Sequence, residues 1–481
     1  MDLLPNEICR EIFAKLEHNI PETWRTEVVQ LDPPPLNALA SVSLTCRRFN
    51  HLAKPLLYKT IAIEAYDDKE ERFVQFARTL VLNPQLGLGI RTITLKDGHH
   101  HGKYDFGDAL EQTWLSLDAP MSFKKRVGEE LADRAMIGLV PLILALTPLV
   151  KLVDYTHGEE GQCTPWILSG RPDLEVHTTG EVFRTLTEDE VQALNARSPA
   201  HESYTHYGLP KLEEVRIGTG DHTYGNTPIH TLEPVLLHPN LNTLRLHRVN
   251  WLGGSISQLK FLNEPCNLEC LDLKDCALDH SSLRNILTRC KKLKWLSMET
   301  ADKGRRGVHD DGSWDIDLDE FRAVLEERGQ SLEFFDLHIH ESMFCAGYLG
   351  SLRGLGGLLR LRVGLTDIME IKEKQIARLA EALPPAIETL HLYWNGDYYD
   401  NPKRVYDNTR RAVFRLLVAM DLVSNLRRVS IDRYGQEQED IYREWEKGVE
   451  GWDIEIRQEC FCFRRQFDGA NLSNQLVSIS E

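Results

Sequence analysis

A short apolar pattern, apolar-x-x-apolar-x-apolar, recurs ten times in this chain and constrains its fold more than any other feature. The copies are Ile90/Ile93/Leu95, Val150/Val153/Tyr155, Leu212/Val215/Ile217, Leu241/Leu244/Leu246 and Leu268/Leu271/Leu273. They continue as Leu293/Leu296/Met298, Leu332/Phe335/Leu337, Leu358/Leu361/Val363, Ile387/Leu390/Leu392 and Leu426/Val429/Ile431. The last two apolar positions of each copy alternate as in a strand with one buried face. Helical stripes precede several copies, at residues 70–82, 129–146, 281–290, 318–328, 373–383 and 410–422. From Leu212 onward the copies start 29, 27, 25, 39, 26, 29 and 39 residues apart. A strand and helix of that length cannot bury an apolar face alone, so neighbouring units must stack. The chain is therefore expected to be α/β, an irregular solenoid with parallel strands on its concave face and helices outside. The first two copies precede their successors by 60 and 62 residues, which places long inserts near 97–125 and 157–208.

Composition narrows the function classes. Hydrophobic residues at 42% and charged residues at 27% exclude a wholly disordered chain. A net charge of −17 excludes general attraction to phosphate, so neither direct nucleic-acid binding nor an anionic membrane is expected. Ten cysteines, with no signal-peptide pattern at the start, fit reduced thiols in a cytoplasmic and/or nuclear protein. The most apolar stretch, 135–150, is interrupted by Pro141 and Pro148 and is shorter than the ~20 residues of a spanning helix. It is expected to be a buried core helix.

Residues 1–60 read as a separate helical unit. Pro5 suits a first helical turn, and Ile8, Ile12, Phe13 and Leu16 then form one apolar stripe. After a polar loop at 17–35, a second stripe holds Leu36, Leu39, Val42, Cys46, Phe49, Leu52 and Leu56. So small a unit buries little by itself and should lean on the next domain or on a partner. The run Leu4-Pro5-x-Glu7-Ile8-x-x-x-Ile12-Phe13-x-x-Leu16, followed by Leu36-x-x-Leu39-x-x-Val42-x-x-x-Cys46-Arg47-x-Phe49, resembles an F-box. Pro55-Leu56-Leu57-Tyr58 continues as in many fungal F-box proteins. The departure is the 17–35 loop, more than ten residues longer than the usual connection in that family. The resemblance implies docking on a Skp-type adaptor, and through it on a cullin, by Leu4, Pro5, Ile8, Ile12, Phe13, Leu36, Leu39, Val42, Cys46 and Phe49.

Further along, Cys266-x-Leu268-x-x-Leu271-x-Leu273-x-x-Cys276-x-Leu278 is similar to the cysteine-containing class of leucine-rich repeat, which often follows an F-box. The repeats are expected to span 61–433. Alternation at Trp452–Ile456 and a charged helical stretch at 437–447 give a C-terminal cap over 434–463 that covers the open end, and the polar residues 464–481 a mobile tail.

Searches for catalytic and metal motifs lead elsewhere. His201 and His206 stand five apart and so fall on different helix faces, unlike a His-Glu-x-x-His zinc helix. His99, His100 and His101 lie among loop residues, and the repeat register spreads Cys266, Cys270, Cys276 and Cys290 over strand, turn and helix end. Cys460 and Cys462 on a strand would share one face without a second pair to complete a site. The glycines at 350–357 lack the spacing and Lys of a phosphate loop, and the acids at 310–320 lack calcium-loop spacing. No enzyme, cofactor or metal is expected.

Strand alternation instead gives a surface. Arg216, Arg245, His247, Trp295, Phe334, His338, Arg360, Arg362, His391 and Tyr393 flank the buried apolar positions and should line the concave face. Arg, Trp and Tyr are enriched at binding hot spots, and a basic row fits an acidic or phosphorylated partner. The chain is expected to be the substrate-recognition subunit of an SCF-type cullin–RING ubiquitin ligase. The alternative is a leucine-rich-repeat scaffold that binds a protein without ubiquitin transfer.

Overall fold

The computed structural model describes residues 4–16, 33–65, 71–97, 116–132, 138–157, 163–171, 174–175, 184–185, 206–219, 226–301, 316–340, 345–370, 378–394, 402–419, 421–432, 449–457 and 460–466. The chain divides into two compact units, the first comprising Met1–Thr223, Ile229–His247 and Leu259–Asn267, and the second the remainder.

The first unit opens with three helices, α1 (Asn6–Ala14), α2 (Pro33–Thr45) and α3 (Arg47–Leu57). The prolines at 33–35 fall in the first turn of α2, where a missing N–H costs nothing, so the helix begins inside the segment read as loop. Cys46 separates α2 from α3 with extended backbone, and its sulfur accepts the Phe49 N–H at 3.4 Å as a helix cap.

Five parallel strands follow in spatial and chain order: β1 (Thr60–Ala65), β2 (Thr92–Asp97), β3 (Leu152–His157), β4 (Glu214–Thr219) and β5 (Thr243–His247). Their register aligns Ile61, Ile93, Val153, Val215 and Leu244 in one row and Ile63, Leu95, Tyr155, Ile217 and Leu246 in another. These are the second and third positions of the repeated pattern. The first position, as in Ile90 or Val150, is buried just before each strand.

Helices α4 (Glu71–Leu82), α5 (Met121–Ala132), α6 (Leu139–Ala145), α7 (Cys163–Leu168) and α8 (Ile229–Leu236) also belong to this unit. The expected helix at 129–146 is two helices, α5 and α6. Pro141 is tolerated only near a helix start, so α6 begins just before it. All six residues from Leu139 to Leu144 are buried, the core role expected of the apolar stretch. Among the described residues no helix is long and apolar enough to cross a membrane. Most of the two expected inserts lies outside the described residues, although 121–132 is helical.

The second unit repeats the logic. Its strands β6 (Cys270–Cys276), β7 (Trp295–Thr300), β8 (Phe334–His338), β9 (Arg360–Gly364), β10 (Thr389–Tyr393) and β11 (Arg428–Asp432) are parallel neighbours in that order. One row runs Leu271, Leu296, Phe335, Leu361, Leu390, Val429, and the next Leu273, Met298, Leu337, Val363, Leu392, Ile431. All twelve side chains are buried. Helix α9 (His280–Arg289) opens on a reciprocal cap between Asp279 and Ser282, and α10 (Leu318–Arg328) opens on Asp317, close to the expected bounds. Helix α11 (Pro402–Val418) begins earlier than its apolar stripe because Pro402 can start a helix.

Beyond β11 the direction reverses. Strands β12 (Trp452–Ile456) and β13 (Cys460–Arg465) form an antiparallel pair, with β13 against β11 and β12 at the edge. The predicted cap strand exists, but β13 makes the junction. The predicted helix at 437–447 and nearly all of the tail from 464 lie outside the described residues.

The repeat cysteines are free thiols. Cys276 is buried, accepts the Val249 N–H at 3.4 Å and donates to the Lys274 carbonyl at 3.2 Å, and burial pushes its thiol pKa up. It bonds backbone groups at the end of β6. Cys460 and Cys462 share one strand face with their sulfurs 3.4 Å apart.

Candidate functional site

The three N-terminal helices build their own small core from Cys9, Phe13, Leu39, Phe49, Leu52 and Ala53, with Leu4, Leu16, Val42, Leu56 and Leu57 packed around it. Phe13 meets Phe49 edge to face, ring centres 5.4 Å apart at 82°. Arg48 ties α3 to the start of α1: its Nε donates to Asn6 Oδ1 at 2.9 Å and its Nη2 to the Leu4 carbonyl. The Asn50 side-chain amide donates to the Ser43 carbonyl at 3.1 Å, fixing α3 on α2.

Ten residues were expected to touch an adaptor, and the structure separates them. Phe13, Leu39 and Phe49 are interior, so their place is the fold of the unit rather than its surface. Leu4 and Val42 are half-buried, whereas Pro5 and Cys46 are exposed. Ile8 and Ile12, one turn apart on α1, are 41% and 42% exposed. The side chain of Leu36 lies outside the described residues. Leu44, absent from the expected set, is 83% exposed. Leu44 lies off the stripe of Leu39 and Val42, and an apolar residue on the polar side of that helix was the available signal.

The second candidate is the sheet face opposite the buried apolar rows. In the first unit it carries Arg216 beside Arg245, as alternation predicts. Both guanidinium groups converge on Glu214, at 2.7 and 3.0 Å, and Arg216 keeps only 3% of its side-chain exposure. Asp154 is buried beside Arg216 in register, and Lys96 approaches it at 3.9 Å. Burial raises the Asp154 carboxyl, while Lys96 and Arg216 pull it down. His247 is also buried. A free basic patch is therefore not what this region offers. Buried cations need carboxylate partners, and here the same strand and its neighbour supply them.

In the second unit the face is mixed. One row runs Asp272, Ser297, Asp336, Arg362, His391, Ser430. Tyr393 donates its hydroxyl to Asp336 at 2.8 Å, Arg362 approaches the same carboxylate at 3.6 Å, and its guanidinium lies 5.8 Å from the Tyr393 ring centre. Burial lifts the Asp336 carboxyl to about 6 against the pull of Arg362 and the Tyr393 hydrogen bond. His391 sits between Ser430 Oγ at 2.9 Å and Asp432 at 3.1 Å. In the adjacent row Trp295 stacks on Phe334, ring centres 3.7 Å apart, and Arg360 stands next to Phe334 in register. Phe334 is buried, Trp295 is 38% exposed, and Arg360 and Arg362 are exposed. Along the third row His338 stacks on Tyr393 at 4.2 Å. Burial, then the neighbouring His340, lowers His338 to about 4. The expected row is thus real in its positions, but Asp272, Asp336, Glu299 and Asp432 interleave it with negative charge.

Among the described residues one group has the geometry to hold a cation: Glu299, His338 and His340, whose ligand atoms lie within 4.8 Å of one another. Sequence reasoning found His338 only as a surface position and missed its two companions. His99–His101, His201 and the acids at 310–315 lie outside the described residues.

Comparison with known proteins bears on the N-terminal unit. The F-box-like family profile matches residues 1–64, the three helices and nearly all of β1. A search of curated proteins returned no match. Among solved structures the chain is similar to the crystal structure of the Rad7 and Elc1 complex in yeast, at 12% identity and a TM-score of 0.27, over 81% of this chain and 88% of that one.

Proposed function

We propose that this chain is the substrate-recognition subunit of an SCF-type cullin–RING ubiquitin ligase, acting in the cytoplasm and/or nucleus. The F-box-like unit docks a Skp-type adaptor, and the strand–helix array, read as an irregular leucine-rich-repeat solenoid, holds a substrate protein. The chain performs no chemistry itself. Its contribution is proximity, since a tethered substrate presents its lysines to the conjugating enzyme at a high local concentration.

The observation that carries this reading is the pair Ile8 and Ile12. Two large apolar side chains stand exposed one turn apart on a unit whose own core is already closed by Phe13, Leu39 and Phe49. Exposed apolar groups in a contiguous strip mark interaction surfaces. Truncating a central interface anchor typically costs about 2 kcal/mol or more, at least a roughly twentyfold loss of affinity. Ile8→Ala with Ile12→Ala is therefore expected to weaken binding of a purified Skp-type adaptor by at least that factor. Because neither side chain belongs to the core, the thermal unfolding midpoint should stay within experimental error of the wild type. Full affinity in the double variant would remove α1 from the interface.

For the substrate, the proposed surface is narrower than the row read from sequence. Trp295, Arg360 and Arg362 are its exposed hot-spot types, and they suit an acidic or phosphorylated segment. Arg216, Arg245 and His247 support the sheet instead.

A further inference from the structure

We propose that Glu299, His338 and His340 form a binding site for one divalent cation of the zinc class, with a coordination position left open on the polar face of the sheet. Parallel register places Glu299 of β7 directly beside His338 of β8. His340 follows two residues later, just past the end of the strand, and its ring centre lies 4.5 Å from that of His338. The three side chains offer two imidazole nitrogens and one carboxylate oxygen, all within 4.8 Å of one another, and His340 Nε2 already stands 3.0 Å from Glu299 Oε1. Zinc binds such donors at about 2.0–2.2 Å, which sets tetrahedral neighbours about 3.4 Å apart. The widest separation of the three ligand atoms, 4.8 Å, exceeds that spacing by about 1.4 Å.

Two features go beyond a chance cluster. The His338 ring is stacked on Tyr393, ring planes 18° apart, and the Tyr393 hydroxyl is itself held by Asp336 at 2.8 Å. The backbone N–H of His340 donates to Thr300 Oγ1 at 3.3 Å, which fixes the chain as it leaves β8. Both histidines are thus positioned by groups that would not touch the metal, as outer-shell residues commonly do. Glu299 and His340 also keep about a third of their side-chain exposure, at 31% and 35%, so an ion can reach them. Two histidines and one carboxylate are a recurrent zinc donor set that leaves a fourth position for water or an incoming ligand.

The test uses the full chain stripped with EDTA and titrated with zinc chloride by calorimetry, then loaded with cobalt for visible spectroscopy. Other histidines and thiols can also take up metal, so the informative quantity is the difference between proteins. Glu299→Gln and His340→Asn each remove one donor while keeping a polar side chain of similar size. Each is expected to weaken one zinc equivalent at least tenfold, and the double variant to lose that equivalent together with its tetrahedral cobalt bands. His206→Asn, an exposed histidine elsewhere, should change nothing. Zinc should also raise the unfolding midpoint of the wild type, and raise it less in either single variant. The proposal is overturned if wild type and double variant take up zinc with the same stoichiometry and affinity. It is equally overturned if the single variants remain folded and show the full wild-type rise in midpoint with zinc.

Discussion

Phe49→Ala is expected to destabilise the N-terminal helical unit by about 3–5 kcal/mol, enough to unfold it locally. The ring is 9% exposed, meets Phe13 edge to face at 5.4 Å, and shares its core with Cys9, Leu39, Leu52 and Ala53. A core of that size has no second layer of side chains to collapse into the cavity, and small units bury too little surface to absorb such a loss. The backbone N–H of Phe49 also donates to the Cys46 sulfur, but that bond survives the substitution. Amide hydrogen exchange distinguishes local from global effects. Protection of α1–α3 should fall to that of a peptide, while β6–β11 keep theirs. Undiminished protection across residues 6–57 would mean that this core is not what holds the helices together.

Asp367→Asn should stabilise the protein at pH 8 by a few kcal/mol and have almost no effect near pH 4. Asp367 is 1% exposed in the short helix Leu365–Ile368 after β9, and burial pushes its carboxyl from 3.8 to about 7 despite hydrogen bonds from the Gly364 backbone and the Thr366 hydroxyl. The folded pKa is therefore above the unfolded one. Between about pH 4 and 7 the native state holds a proton that the unfolded chain has released, so stability declines as pH rises through that window. Above it the buried charge exerts its full penalty, on the order of 4 kcal/mol at ~1.4 kcal/mol per tenfold change. Asparagine keeps an acceptor oxygen for Thr366 and removes the charge. Urea midpoints at pH 4 and pH 8 decide the matter, because a gap that does not depend on pH would point to packing instead. Asp336, lifted to about 6, adds a slope of the same sign over a lower window.

The repeated apolar pattern was legible because it fixes the face and period of a strand before any neighbour is known. Each of its ten copies became a parallel strand with its apolar side chains buried. Strand β1 escaped although Tyr58/Ile61/Ile63 has the same spacing, because Tyr58 closes the Pro55-Leu56-Leu57-Tyr58 run that reads as the end of the helical unit. The antiparallel β13 escaped for a related reason, since Cys460-Phe461-Cys462-Phe463 alternates but carries no spacing that announces a reversal. Alternation also placed Arg216, Arg245 and Arg362 on the correct face. It could not show that Arg245 reaches Glu214 or that Arg362 reaches Asp336, because those pairs depend on which strands become neighbours. The same limit hid the Glu299–His338–His340 group, whose members meet only through the register of β7 and β8. On α1, spacing identified the apolar stripe, but docking of α3 decided that Phe13 faces inward and Ile8 outward.

One titration bears most directly on the assignment of an adaptor-docking F-box. Purified full-length chain is titrated with a purified Skp-type adaptor, and complex formation is followed by calorimetry and by co-elution on a sizing column. The proposed function predicts a stable one-to-one complex with wild type. Wild-type protein that elutes apart from the adaptor and gives no binding heat would contradict it, and would leave the chain a protein-binding scaffold outside the ligase.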